Sequence, residues 1–280
     1  MSIMKPQVDT VIPLPQNFWP FKHTSLPNSA VSNFYGSDSE PLFEKNKKEL
    51  PSNWMYHNEP IVYNFNEQGF RMKKNVQDVK DDYVYFGGSS FTLGIGLHEE
   101  DRFSEKVSSV LGLDFVNFSG PIYGIKLQAM SFFNFLQTGM HLPKILVVEH
   151  FPDAYNFYSD GNYLLYKSKF KANKEQWPHH YVAFEELDKT DFYIQESTMY
   201  ANFLKSTCHR LGIKFVEMSF FKDDRVTVAN NIPSVDRDSH MDDLNYCFSR
   251  DVFLKDDGTY TGHGGRGLNQ EMTDLLLTLI

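Results

Sequence analysis

The stretch from Tyr83 to Leu97 constrains the fold of this chain more than any other. Four apolar residues, Tyr83–Phe86, have the pattern of a buried strand and run directly into two glycines and two serines. Because glycine permits a tight turn, the sequence predicts a strand-to-turn junction with a serine hydroxyl at its tip. α/β enzymes place nucleophiles at the carboxyl ends of such strands. The stretch therefore indicates an α/β fold and favours hydrolytic chemistry.

From residue 80 onward, apolar strands alternate with segments of helical periodicity. The pattern predicts strands at 83–86, 114–118, 144–151 and 213–218, and helices at 100–111, 122–136, 193–211 and 266–280. Ile145–Val148 is apolar throughout, as expected of a strand buried on both faces. Strands separated by helices of this length form βαβ units. We therefore expect a three-layer α/β/α fold with a central parallel sheet.

Two kinds of segment depart from this alternation. Residues 1–55 contain many prolines and scattered aromatic residues, and we interpret them as an irregular arm that packs on the domain. The side chains expected to make that contact are Trp19, Phe21 and Phe34. Residues 56–280 then form the α/β domain, with insertions near 152–192 and 221–262. Both insertions follow predicted strand ends, at the edge where α/β proteins build their sites.

Charge and cysteine content exclude several classes of function. The formal net charge of -9 argues against nucleic acid or an anionic membrane as a partner, because both need a basic surface. Two cysteines are too few for a disulfide framework or a cysteine-based zinc site. No apolar run reaches the roughly 18 residues of a membrane helix, and the first residues lack the apolar core of a signal peptide. We expect a soluble cytoplasmic protein without a cofactor.

Three motifs resemble those of the SGNH (GDSL-type) hydrolase family in order and interval. They are Asn66-Glu-Gln-Gly-Phe-Arg71, Phe86-Gly-Gly-Ser-Ser-Phe-Thr-Leu-Gly94 and Asn117-Phe-Ser-Gly-Pro-Ile-Tyr-Gly124. The match spans residues 61–150 well and 250–280 loosely. The resemblance implies the fold inferred above and a Ser-His-Asp arrangement that hydrolyses small acyl or acetyl esters, esters of carbohydrate among them.

The resemblance also implies which residues carry the chemistry. The family's nucleophile falls on Ser90, and the histidine that precedes its last helix falls on His263. The family usually places an aspartate three residues before that histidine, where this chain has Tyr260. Two candidates for the acid therefore stay open: Asp257 and, as the alternative, Asp251.

The oxyanion hole departs most from the family pattern. The resemblance implies three donors: the N–H of Ser90, an N–H from the third motif, and an asparagine side chain after the third strand. The second position falls on Ile122, with Gly120 close by, and the third falls on Pro152, which has no donor. A replacement donor would come from a residue near it in sequence, either His150 or Asn156.

The substrate contacts are expected from the aromatic insertion at 152–192. Trp177 and Asp153 are the candidates for binding a small-molecule or glycan ester, and tyrosines of the insertion could stack on sugar rings. His179-His180 and the acidic run 236–243 could suggest metal binding. Paired surface histidines and acidic loops are more often solvated, so we expect no metal site.

Departures from the family motifs keep a second hypothesis open. Ser89 stands where the family has aspartate, Ile122 where it has glycine, and Pro152 where it has asparagine. Such a pattern is also typical of a weak or inactive relative that serves as a binding or structural protein. Because related sequences with a long N-terminal arm occur in phages, this alternative includes a role in a virion or another large assembly.

Overall fold

The computed structural model describes residues 31–120, 123–151, 157–159, 162–164, 191–237, 243–255 and 258–280. The strands are β1 (Val31–Ser32), β2 (Tyr63–Asn64), β3 (Tyr83–Gly88), β4 (Asp114–Ser119), β5 (Ile145–His150), β6 (Phe157–Ser159), β7 (Asn162–Leu164), β8 (Lys214–Ser219), β9 (Phe253–Leu254) and β10 (Tyr260–Thr261). The α-helices are α1 (Glu40–Glu49), α2 (Ser90–Leu93), α3 (Phe103–Leu111), α4 (Ile125–Leu136), α5 (Phe192–Leu211), α6 (Arg225–Asn230), α7 (Leu244–Cys247) and α8 (Arg266–Leu279). Short 3₁₀ helices lie at Met55–His57, Val76–Asp78 and Glu99–Asp101. None of the helices in these ranges is long and apolar enough to cross a membrane.

A four-stranded parallel sheet forms the centre of the domain. Its strand order is β4–β3–β5–β8, which places β3 and β5 inside the sheet. Every residue of β3 and of β5 is buried, as the continuous apolar pattern predicted. Because the strands are parallel, their carboxyl ends meet at one edge, where Gly88, Ser119, His150 and Ser219 end β3, β4, β5 and β8.

Helices cover both faces of the sheet. On one face, α4 and α5 contribute buried residues such as Phe132 and Leu204 to a core shared with Tyr85. On the other, α3 and α8 contribute Phe103 and Met272, among others, to a second core. Burying each large apolar side chain contributes roughly 1.5–3 kcal/mol. The predicted three-layer α/β/α fold is therefore confirmed.

The N-terminal region is more regular than its composition indicated. Within the part of 1–55 that the structure describes, α1 begins after Ser39, with Pro41 in its first turn, where proline costs the helix no hydrogen bond. Tyr35 and Trp54 are buried in a third core with Phe248. Of the side chains expected to anchor the arm, Phe34 contacts Phe43 at 5.9 Å between ring centroids. Trp19 and Phe21 lie outside the described residues, and the domain boundary at residue 55 stays a prediction.

The fourth helix begins later than the periodicity predicted. It starts at Ile125 rather than at residue 122, because Gly124 is extended, with φ -73° and ψ 171°, and occupies the N-cap position. Of the residues between β4 and α4, the structure describes Gly120 and 123–124, and Gly120 lies at the same sheet edge as the serine turn, beside Gly88.

Candidate active site

Ser90 lies where β3 turns into α2. A Cβ added to Gly88 would lie 2.0 Å from Thr92 Oγ1, so only glycine fits at the last position of the strand. Ser89 is the N-cap of α2, and its Oγ accepts a hydrogen bond from the N–H of Phe91 at 3.2 Å. Ser90 is the first residue of α2, so its backbone N–H points out of the helix with no carbonyl of the helix to accept it.

The structure brings Ser90, His263 and Asp251 together. His263 Nε2 lies 2.7 Å from Ser90 Oγ, and His263 Nδ1 lies 2.6 Å from Asp251 Oδ2. The ring of Phe91 packs against the imidazole, with 5.0 Å between centroids, and supports it from the side. In this geometry the imidazole is able to accept the proton of the serine hydroxyl while the carboxylate holds the opposite ring nitrogen.

The carboxylate of Asp251 is buried and hydrogen-bonded on both oxygens. Oδ2 accepts from Ser37 Oγ at 2.5 Å, in addition to the imidazole, and Oδ1 accepts from Ser249 Oγ at 2.5 Å and from the N–H of His263 at 3.2 Å. Burial raises the pKa of Asp251, but the charge and hydrogen bonds of His263, Ser249 and Ser37 outweigh it and hold the pKa well below its usual range. The group is therefore ionised at neutral pH, the state that stabilises an imidazolium.

The carboxylate that contacts His263 belongs to Asp251, the alternative candidate, and its role as the acid stays a prediction. Asp257 lies outside the described residues, and Asp251 already occupies the Nδ1 side of the ring. Asp251 lies twelve positions before His263, and the antiparallel pair β9–β10 lies between them, with Thr261 opposite Phe253. The hairpin returns the chain to the same place, so the acid is close in space without the short spacing of the family pattern.

Glu149, at the end of β5, is a buried group that sequence reasoning missed. Its Oε2 accepts hydrogen bonds from the backbone N–H groups of Ser89 and Thr92 at 2.9 and 3.2 Å, and from Thr92 Oγ1 at 2.5 Å. Its Oε1 accepts from Ser89 Oγ at 2.6 Å. Burial raises the pKa of Glu149, and these four bonds, which favour the ionised form, offset part of that effect. The side chain ties the serine turn to the neighbouring strand.

A signal for Glu149 was present in the sequence. It is the one acidic residue attached directly to the apolar run Ile145–Val148, and a carboxylate at the end of a fully buried strand needs donors around it. The strand itself is fixed by Gln128, whose side chain bonds both the N–H and the C=O of Glu149, at 3.1 and 2.7 Å.

The other two motifs support the far end of α2. Arg71 donates to the carbonyl oxygens of Leu93, Gly94 and Leu97, at 3.2 Å for Leu93 and 2.6 Å for Leu97. Burial and the neighbouring Arg102 lower the pKa of Arg71 to about 9.

Asn117, from the third motif, donates to the carbonyl oxygen of Thr92 at 3.2 Å, and its own oxygen accepts from Ser119. The first and third motifs thus meet the second one, because Arg71 and Asn117 donate to carbonyl groups at the end of α2 and just after it.

The predicted oxyanion donors are only partly described. The N–H of Gly120 donates to Gly88 O at 3.1 Å, which extends the β3–β4 pairing and engages that group. His150 Nε2 lies 2.9 Å from Glu217 Oε1, so this nitrogen is engaged away from the serine. Ile122, Pro152 and Asn156 lie outside the described residues. Of the predicted donors that the structure describes, Gly120 and His150 are thus engaged elsewhere, and the N–H of Ser90 is the candidate that is left.

The surroundings of the imidazole are aromatic. Phe91 packs against Phe151 and Phe221, with centroids 6.0 and 5.3 Å away, and the guanidinium of Arg237 lies 5.6 Å from the ring of Phe91. The predicted substrate residues Trp177 and Asp153 lie outside the described residues. Within the part of the chain that the structure describes, no group of three or more His, Cys, Asp or Glu is placed to hold a metal ion.

No protein-family model and no curated protein matches this chain. The solved structures that it resembles include GDSL-type esterases and lipases. A carbohydrate esterase whose active site has divergent catalytic and non-catalytic binding functions is 12% identical over 78% of this chain and 67% of its own, with a TM-score of 0.39. A psychrotrophic esterase from Pseudoalteromonas sp. is 8% identical over 70% of this chain and 94% of its own, with a TM-score of 0.40.

A GDSL-like lipase from Bacteroides thetaiotaomicron is 12% identical over 74% of this chain and 90% of its own, with a TM-score of 0.36. Because each of these scores is below 0.5, the conclusions about this chain rest on its own sheet and its own side-chain contacts.

Proposed function

We propose that this chain is an SGNH-like serine hydrolase that cleaves small acyl or acetyl esters, esters of carbohydrate among them. The observation that carries the proposal is the continuous set of hydrogen bonds from Ser90 through His263 to Asp251, each shorter than 2.8 Å. A hydroxyl, an imidazole and an ionised buried carboxylate in that order are the components of nucleophilic acyl transfer.

The mechanism follows from the positions of these atoms. Ser90 Oγ attacks the ester carbonyl as its proton moves to His263 Nε2, and Asp251 stabilises the imidazolium through Nδ1. The N–H of Ser90 donates to the oxyanion. His263 then protonates the leaving alcohol, and water, activated by the same imidazole, attacks the acyl-serine and releases the acid.

A fluorophosphonate probe tests the proposal, because it labels an activated serine whatever the natural substrate. We expect the wild type to be labelled and to hydrolyse p-nitrophenyl acetate, and Ser90→Ala to do neither. Ser109→Ala, which removes an exposed hydroxyl on α3, is the matched control and should behave as wild type. Labelling of Ser90→Ala at the wild-type rate would refute the role of Ser90.

The alternative is a weak or inactive member that binds a ligand or serves in a large assembly such as a virion. The observation that favours it is the oxyanion region, where Pro152 offers no donor and the N–H of Gly120 is engaged. Loss of one oxyanion donor typically costs about 10²–10³ in turnover. A wild-type protein that resists the probe, under conditions that label a control hydrolase, would favour this alternative over the enzyme.

A further inference from the structure

We propose that Ser37, which lies in the N-terminal segment 33–46, is a positioning residue for Asp251. The inference rests on the proposed function, since it concerns the acid of the same Ser-His-Asp arrangement. Ser37 and Asp251 are 214 residues apart in the chain, and Ser37 Oγ donates to Asp251 Oδ2 at 2.5 Å.

Two neighbouring residues of the segment, Ser37 and Asp38, bind two neighbouring residues further along the chain. The next residue, Asp38, binds Arg250, the neighbour of Asp251, through two bonds: Nε to Oδ1 at 2.8 Å and Nη2 to Oδ2 at 2.7 Å. Both partners are almost fully buried, with 1% and 2% of their side chains exposed. A two-bond arginine–carboxylate pair fixes direction as well as distance. Asp38 therefore sets where Ser37 meets the acid.

Further hydrogen bonds hold the segment against residues 250–252. Tyr63 donates its hydroxyl to Asp38 at 2.5 Å and accepts from the N–H of Gly96 at 2.7 Å. Asn46, on α1, donates to Val252 O at 2.5 Å, on the other side of the acid. The segment therefore binds residues on both sides of Asp251: Asp38 binds Arg250, and Asn46 binds Val252.

The bond from Ser37 matters because of the oxygen that it reaches. Asp251 Oδ2 is the atom that faces His263 Nδ1, and a second donor on that atom limits rotation of the carboxylate about its bond to Cβ. The other oxygen is held by Ser249 and by the N–H of His263. Without Ser37, the imidazole would be the only described donor left on Oδ2.

The position of Ser37 makes the inference testable without unfolding the protein. Ser37 is exposed whereas Asp251 is buried, so Ser37→Ala opens no core cavity, and water is able to replace part of the lost hydrogen bond. We expect kcat for p-nitrophenyl acetate to fall about 3- to 10-fold, the equivalent of one ordinary net hydrogen bond, with KM within twofold of wild type. Ser37→Thr keeps the hydroxyl and should restore kcat to within twofold.

The matched control is Ser39→Ala, two residues along the same segment, because the Ser39 side chain makes no capping hydrogen bond to α1. It should leave kcat unchanged. A second readout does not depend on turnover: the downfield proton NMR resonance of the His263 Nδ1–H bond should shift in Ser37→Ala and not in Ser39→Ala. Urea midpoints of all variants should agree.

The outcomes separate this inference from the proposed function. If the wild type is labelled by the fluorophosphonate probe but Ser37→Ala matches it in kcat and in the NMR resonance, the role of Ser37 is overturned and the hydrolase stands. Failure of Ser37→Thr to restore kcat would also overturn it. If the wild type is not labelled at all, the proposed function falls and takes this inference with it.

Discussion

Replacing Glu149 by alanine should destabilise the protein far more than replacing it by glutamine. The carboxylate of Glu149 accepts four hydrogen bonds, all from Ser89 and Thr92, and no part of the side chain reaches solvent. Glutamine keeps an oxygen for the two backbone N–H groups and places an N–H₂ opposite Ser89 Oγ, which is able to accept. Alanine leaves all four donors without their acceptor.

The expected loss of stability depends on which of the four donors are able to find another acceptor. The hydroxyls of Ser89 and Thr92 rotate freely, but the two backbone N–H groups are fixed at the start of α2. Each buried donor left unsatisfied costs about 1–3 kcal/mol, so Glu149→Ala should lower the free energy of unfolding by about 2–6 kcal/mol. Glu149→Gln should stay within about 1.5 kcal/mol of wild type, since it exchanges one hydrogen bond for another.

The stability difference between wild type and Glu149→Gln should depend on pH, and its direction is defined. Burial raises the pKa of Glu149 above its value in the unfolded chain, which is about 4.3. Because the pKa is raised in the folded protein, ionisation of Glu149 lowers the stability of the fold. The stability that the protonated side chain contributes is therefore fully present below the unfolded pKa, and it is lost as pH rises through the folded pKa. Glutamine does not titrate. The stability of wild type relative to Glu149→Gln should therefore decrease as pH rises from about 4.

Urea denaturation followed by tryptophan fluorescence measures these differences, and Trp54 is a buried reporter. Glu100→Ala, which removes an exposed glutamate, is the control and should unfold at the wild-type midpoint. An unchanged slope with a lower midpoint identifies a loss of stability. If Glu149→Ala unfolds at the wild-type midpoint, the carboxylate does not hold the serine turn and the reasoning fails.

Three further perturbations test the site. Asp251→Asn should remain folded and lose about 10⁴-fold in kcat on p-nitrophenyl acetate, because the amide favours the wrong imidazole tautomer; a loss below tenfold would contradict its role. Gly96→Ala should lower both the urea midpoint and the rate of fluorophosphonate labelling, since φ is 73° and the new Cβ would lie 2.7 Å from Ser249 Cβ, beside the acid. Ser89→Asp should be destabilising because it places a second carboxylate against Glu149, and adding Glu149→Gln should recover most of the loss in a double-mutant cycle.

Local patterning accounts for the parts of the fold that were predicted correctly. The strand β5 is apolar from Ile145 to Val148 because both its faces are covered, and α8 shows its buried face through Leu268, Met272 and Leu276. The helix α1 gave no such signal. It has few apolar residues, of which Phe43 packs on the third core, and its one fully buried residue is Asn46, which hydrogen-bonds the carbonyl of Val252, next to Asp251.

The candidate site likewise contains residues that local patterns indicate and residues that only long-range contacts bring together. Ser90 and His263 lie within motifs whose spacing is local, so a single sequence places them. Asp251 does not, because the β9–β10 hairpin separates it from His263 in the chain, and the spacing in sequence does not show that the hairpin brings the two residues together. Glu149 depends on the parallel pairing of β3 with β5, a contact between residues 60 apart in the chain.

The departure at Ser89 takes a different meaning once these long-range contacts are known. A missing aspartate beside the predicted nucleophile suggested a degraded site, but Glu149 reaches the same turn from β5 and binds Ser89 through both its N–H and its hydroxyl. The turn still has a buried carboxylate, supplied by another strand. Its four donors come from Ser89 and Thr92, which lie on either side of Ser90-Phe91, so the carboxylate fixes the start of α2 and with it the position of Ser90. A serine held in one position by a buried hydrogen-bonded turn is what the proposed nucleophilic role requires.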